Sequence, residues 1–177
     1  MEIIEANGLI HGDIRAGNFV IGEDGNLKLL WAPFIKESMR LMKQKPYLIK
    51  SMNPAPEVVD AYSTQAREKK RYRTFTDMQE NVLYQKGDIY STAVMILRLC
   101  DLYSTSSFYL YEPQLEVNTR KLEETLIKMS SLNSKLGNIL GKMLVFDCFD
   151  RPNFSQVSDM LNDELSSTLE MYEGDVN

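Results

Sequence analysis

The sequence predicts a mainly helical domain of the α+β class that carries one small β-hairpin near its start. Three observations lead there. Residues 88–102 place Ile89, Ala93, Val94, Ile96, Leu97 and Leu99 around most of a helix circumference, which is the pattern of a buried helix. Residues 119–130, 134–146 and 155–171 repeat apolar side chains at helical spacing, as in Leu136, Ile139, Leu140, Met143 and Leu144, then Val157, Met160, Leu161 and Leu165. Phe19-Val20-Ile21 and Leu27-Lys28-Leu29-Leu30 flank the glycine-containing stretch 22–26, so the two runs read as the arms of a hairpin.

The remaining segments follow in order. Residues 2–7 read as the last turns of a helix stopped by Asn7-Gly8. Residues 31–56 lack periodicity and contain Pro33, Pro46, Pro54 and Pro56, which suits a long ordered loop. Within 60–87 lies a basic insertion with Arg67, Lys69, Lys70, Arg71 and Arg73. Such a run is first a solvated loop or helix face and second a docking surface for an acidic partner. With 177 residues, 44% hydrophobic and 25% charged, the chain has the size and composition of one globular domain spanning 1–177.

Several function classes are set aside. A net charge of −5 and a pI of about 5.0 argue against nucleic acid as a partner. The first residues carry no basic region followed by a long apolar run, and the most apolar stretch, 93–100, is too short to cross a bilayer and contains Arg98. A soluble, cytoplasmic protein without membrane contact is expected. Cys100 and Cys148 form no paired motif and are expected to be reduced, buried thiols. One histidine and two distant cysteines make no recognisable zinc site. Gly137 to Met143 has phosphate-loop character, but the spacing is one residue short and Met143 stands where a hydroxyl is needed, so it reads as helix interior. Neither a G-x-G-x-x-G nor a G-x-S-x-G motif occurs.

One constellation survives. His11-Gly12-Asp13-Ile14-Arg15-Ala16-Gly17-Asn18 lies between a helix end and a hairpin. Phosphoryl transfer needs a carboxylate to take the substrate hydroxyl proton and an amide oxygen close by for magnesium, and Asp13 and Asn18 have the right types and spacing. The segment resembles the catalytic loop of eukaryotic protein kinases, H-R-D-L-x-x-x-N. Other matches follow in kinase order. Residues 28–34, Lys-Leu-Leu-Trp-Ala-Pro-Phe, fall where D-F-G would stand; Ala55-Pro56-Glu57 matches A-P-E; Lys86 to Ser91 resembles the start of the central helix of the C-terminal lobe; Phe146 to Pro152 resembles its late arginine turn.

The resemblance covers essentially the whole chain and implies a protein kinase-like C-terminal lobe, with 31–57 as the activation-segment equivalent. It implies structural roles for His11, for Asp88 as acceptor of backbone N–H groups from the catalytic loop, and for Glu57 and Arg151 as an ion pair. If that pair is buried, removing one partner is expected to cost on the order of 3–5 kcal/mol. Arg15 stands at the usual lysine position of the catalytic loop.

Other positions depart from the family. Trp31 replaces the metal-binding aspartate, and an indole offers magnesium no oxygen. Pro33 replaces the motif glycine and stiffens the segment. Gly12 replaces the loop arginine that answers an activation-segment phosphate. The resemblance also starts inside the helix preceding the catalytic loop, so the N-terminal lobe with its glycine-rich loop and ATP-anchoring lysine is expected to be missing.

The expected function is therefore a pseudokinase-like protein-interaction or scaffolding module. Its partner would be a protein, and it would need no cofactor. Asp13, Arg15 and Asn18 would then be vestigial loop architecture. The alternative is a protein kinase, or a fragment of one, that uses ATP and magnesium to phosphorylate protein hydroxyls.

Overall fold

The computed structural model describes residues 1–30, 53–62, 77–100, 108–110, 116–131 and 135–163. Among them the chain is mainly helical, with two small antiparallel sheets. Helix α1 (Glu2–Ala6) ends at Asn7, whose backbone N–H donates to the Ile3 carbonyl at 3.3 Å while the Gly8 N–H donates to the Glu5 carbonyl at 2.9 Å. Gly8 follows with φ +67°, a left-handed conformation that suits glycine and turns the chain out of the helix. Strands β1 (Phe19–Ile21) and β2 (Leu27–Leu29) pair antiparallel, with Phe19 opposite Leu29 and Ile21 opposite Leu27. The turn is closed by the Gly22 N–H donating to the Asn26 carbonyl at 2.8 Å. Asp24 in that turn pairs with Lys28 at 3.1 Å, and this contact holds its carboxyl below the ordinary value.

The helices α2 (Pro56–Tyr62) and α3 (Asp77–Leu99) are followed by a second hairpin of β3 (Tyr109–Leu110) and β4 (Glu116–Val117). Helices α4 (Thr119–Ser131) and α5 (Lys135–Met143) come next, and residues 154–163 form α6. Asn118 caps α4 by accepting the Lys121 N–H at 3.2 Å. Asn153 and Gln156 cap α6 reciprocally: the Asn153 side chain accepts the Gln156 N–H at 2.7 Å, and the Gln156 side chain accepts the Asn153 N–H at 2.8 Å.

Helix α3 is the axis of the core. Ile89, Tyr90, Ala93, Val94 and Leu97 are fully buried along it. Around them pack Val58 and Val59 of α2, Phe108, Leu122 and Met129 of α4, Ile139, Leu140 and Met143 of α5, and Phe154 and Val157 of α6. Gly137 and Gly141 lie inside α5, as the rejection of a phosphate loop requires. The buried stretch of α3 is narrower than the sequence suggests. Ile96 is only partly buried and Leu99 is 64% exposed. Cys100, just past the end of α3, is exposed too, which corrects the expectation of two buried thiols. Cys148 is buried, and burial pushes its thiol up to about 11.

The helix also begins earlier than the apolar pattern shows, at Asp77, so residues 77–87 of the segment read as a basic insertion are helical. The five basic residues Arg67 to Arg73, Trp31, Pro33 and most of 31–57 lie outside the described residues. No helix among the described residues is long and apolar enough to cross a membrane.

The core assignment predicts a specific contrast. Leu140→Ala should lower the urea-unfolding free energy by about 2–5 kcal/mol. Ile127→Ala, at a position 70% exposed, should stay within about 0.5 kcal/mol.

Candidate functional site

The site is assembled on the N-terminal half of α3 from three chain segments that are distant in sequence. Its first fixed point is Arg151, whose guanidinium is fully buried against Glu57. Nη1 donates to Glu57 Oε1 at 2.7 Å and Nη2 to Oε2 at 2.9 Å, a bidentate fork. The remaining N–H groups donate to the carbonyls of Lys86 at 3.0 Å, Phe146 at 3.0 Å and Val145 at 2.7 Å. All five donors of the side chain are thus used, which is the condition under which a buried arginine is tolerated. The guanidinium also lies 5.0 Å from the centroid of the buried Tyr90 ring. Lys86 returns the contact by donating its ammonium to the Arg151 carbonyl. Burial pushes that ammonium below its ordinary value.

The second fixed point is Asp88. Its carboxylate accepts the His11 N–H at 2.7 Å and the Gly12 N–H at 2.8 Å, one on each oxygen. Two successive backbone N–H groups aimed at one anion form a nest. Gly12 has φ +77°, which an L side chain rarely adopts, so glycine at this position has a local reason. His11 is fully buried, and its Nδ1 accepts the Asp13 N–H at 3.1 Å. Nδ1 is therefore the unprotonated ring nitrogen, and the tautomer is fixed by the loop backbone.

The loop then presents Asp13. Its Oδ2 accepts from Arg15 Nε at 3.1 Å and from Asn18 Nδ2 at 3.0 Å. Asn18 Nδ2 also donates to the Asp13 carbonyl at 2.7 Å, which fixes which end of that amide faces Asp13. Asp13 Oδ1 is buried and has no donor. Oδ1 is therefore out of reach of solvent, and Oδ2, on a side chain 10% exposed, is already doubly hydrogen-bonded.

The structure brings together His11, Asp13, Arg15, Asn18 and Asp88, and it joins Glu57 to Arg151. Trp31 is outside the described residues. Among the described residues no group of three or more His, Cys, Asp or Glu side chains is placed to hold a metal.

Two participants are missing from the sequence reading. Asn53 donates Nδ2 to the Ile14 carbonyl at 3.0 Å, and the single Ser91 hydroxyl proton is shared between the Asn53 carbonyl at 2.7 Å and the Gly87 carbonyl at 2.9 Å. Together they fasten the segment before α2 to the loop and to α3. Ser91 was within reach, since it closes the Lys86-to-Ser91 run at helical spacing from Gly87. Asn53 carries no comparable sequence feature, because its role arises only from tertiary contact. No family model and no curated protein matches this chain in sequence comparison.

The burial of Asp88 gives a pH signature. Loss of solvation raises its carboxyl to about 6, with the Gly12 and His11 N–H groups opposing the rise and the Asp13 charge adding to it. In the unfolded chain the same group ionises near 4. The unfolded state therefore releases this proton first as pH rises. The contribution of Asp88 to stability is fully present below about pH 4 and is lost as pH rises through about 6, a change on the order of 3 kcal/mol. Urea unfolding of the wild type and of Asp88→Asn at matched pH should show their stability difference falling between pH 4 and pH 6, then levelling off above about pH 7.

Proposed function

We propose that this chain is a degenerate protein kinase-like C-terminal lobe that works as a protein-interaction or scaffolding module and does not transfer phosphate efficiently. The observation that carries the reading is the state of Asp13. A general base must bring an oxygen within hydrogen-bond reach of the proton it removes. Asp13 Oδ2 already accepts from Arg15 and Asn18, and Oδ1 is buried. Trp31 adds to this on chemical grounds. It stands where the resemblance places a metal-binding aspartate, and phosphoryl transfer draws much of its charge neutralisation from bound metal.

An interaction role also accounts for the hairpin. Ile21 and Leu27, opposite each other on a two-stranded sheet of three-residue strands, are 76% and 64% exposed, and Leu30 just after β2 is 59% exposed. Such a hairpin is marginal without something packed on it, and clustered exposed apolar side chains mark contact surfaces. A protein partner seated on this hairpin would cover them beside the Asp13 loop. Nucleic acid and membrane fit the acidic chain less well.

The alternative, an ATP- and magnesium-dependent protein kinase or a fragment of one, rests on Asp13 and Asn18 standing 3.0 Å apart in the expected loop. Calorimetry separates the two. The interaction reading expects no heat on titrating magnesium-ATP; saturable binding at micromolar concentration, with phosphate transfer that Asp13→Asn abolishes, would establish the kinase. Replacing Ile21 by Lys and Leu27 by Glu, which sets opposite charges across the hairpin, should abolish binding of the protein partner that the wild type retains, with the melting temperature little changed. Retention of that protein by the double variant would move the surface elsewhere.

A further inference from the structure

The segment preceding α2 and the Asp13 loop enclose a cavity of about 10 Å³, lined in part by Gly12, Asp13, Ile14, Asn53, Asp88 and Ser91. That is about the smallest space that holds one water molecule. Two of the lining residues carry orphaned acceptors: Asp13 Oδ1 and Asn53 Oδ1 are both buried without a hydrogen-bond donor. Buried polar atoms in a folded protein almost always find partners. These two cannot satisfy each other, since both are acceptors.

Neither group can turn to escape. The Asn53 amide is held by Nδ2 donating to the Ile14 carbonyl at 3.0 Å, so exchanging its ends would set oxygen against oxygen. Asp13 is held through Oδ2 by Arg15 and Asn18. The occupant must therefore donate two hydrogens and fit the volume of one small molecule.

We infer that a single ordered water bridges Asp13 Oδ1 and Asn53 Oδ1, which makes Asn53 a positioning residue for the Asp13 carboxylate. The chemistry separates water from a cation. Magnesium demands six oxygens in octahedral geometry and calcium six to eight. This wall offers two orphaned oxygens in a space of about 10 Å³, too small for a six-oxygen shell, and the Asp88 oxygens already accept N–H groups. Water supplies two hydrogens for two acceptors. The bridge would complete the hydrogen bonding of Asp13 and tie its loop to the chain entering α2. The inference stands on the cavity and its two acceptors, independently of the functional proposal.

Water-to-protein magnetisation transfer in the isotope-labelled full chain tests it. The wild type should show a long-lived water contact at the Asn53 side-chain amide and the Ile14 backbone amide. Asn53→Leu, which keeps size but removes the acceptor, should lose that contact. It should also move the Asp13 carboxyl carbon resonance and leave that of Asp147, which caps a separate turn, in place. Should Asn53→Leu fail to fold, the wild-type spectrum decides alone. Absence of a long-lived water there would overturn the inference. So would a saturable rise in melting temperature with magnesium, calcium or potassium chloride that Asp13→Asn removes, because the occupant would then be a cation.

Discussion

The buried pair of Glu57 and Arg151 is the contact on which the arrangement of this chain depends. Glu57 lies in the first turn of α2, and Arg151 follows the short turn after Cys148. Nothing local in the chain brings them together. Removing two charges from water is costly, and the expense is offset only when the geometry is close to ideal and every donor is used. Here the fork is bidentate, the other N–H groups reach three carbonyls, and Tyr90 lies against the guanidinium. One side chain thereby fixes the start of α2, the carbonyl of Lys86 in α3 and the 145–146 turn relative to one another.

Asp88 extends this order to the functional loop. It sits two residues after Lys86 on α3, and its carboxylate gathers the His11 and Gly12 N–H groups. Position 88 thus couples a rigid core helix to a loop of irregular backbone. The loop in turn fixes the ring of His11 and the carboxylate of Asp13. Scaffold and chemistry separate at this point. Asp88 and Asn18 hold the loop through its backbone, whereas one oxygen of Asp13 is buried and the other already accepts two donors. That division is what the proposed loss of catalysis with retention of a binding role would leave behind.

Much of this was legible in the sequence because it was local or periodic. The α5 helix, the Asn7-Gly8 stop and the five-residue turn between β1 and β2 follow from spacing and turn chemistry, and the structure has them. Helix α6 is described to residue 163, and Leu136 and Leu161 of the expected stripes are exposed while Leu165 lies outside the described residues. The resemblance supplied the long-range expectations for Glu57, Asp88 and Arg151, and the structure places those three in the contacts described. The misses have physical reasons. Strands β3 and β4 are two residues long, too short to display alternation. The first five residues of α3, Asp77 to Asn81, hold one apolar side chain, Met78, too few to show a period. Cys100 follows a run that looks uniformly buried, but how far burial extends along a helix is decided by what packs on it. Asn53 has its place only because Ile14 and Ser91 arrive beside it in the fold.

A double-mutant cycle on the ion pair tests the central claim most directly. Unfolding free energies would be measured for Glu57→Gln, Arg151→Met and the two combined. Each single change strands a buried polar partner, so the pair should prove strongly coupled, with the double variant far more stable than the summed single losses imply and a coupling on the order of 3 kcal/mol. Additive effects, or single losses within about 0.5 kcal/mol of the wild type, would contradict a structure organised around this contact.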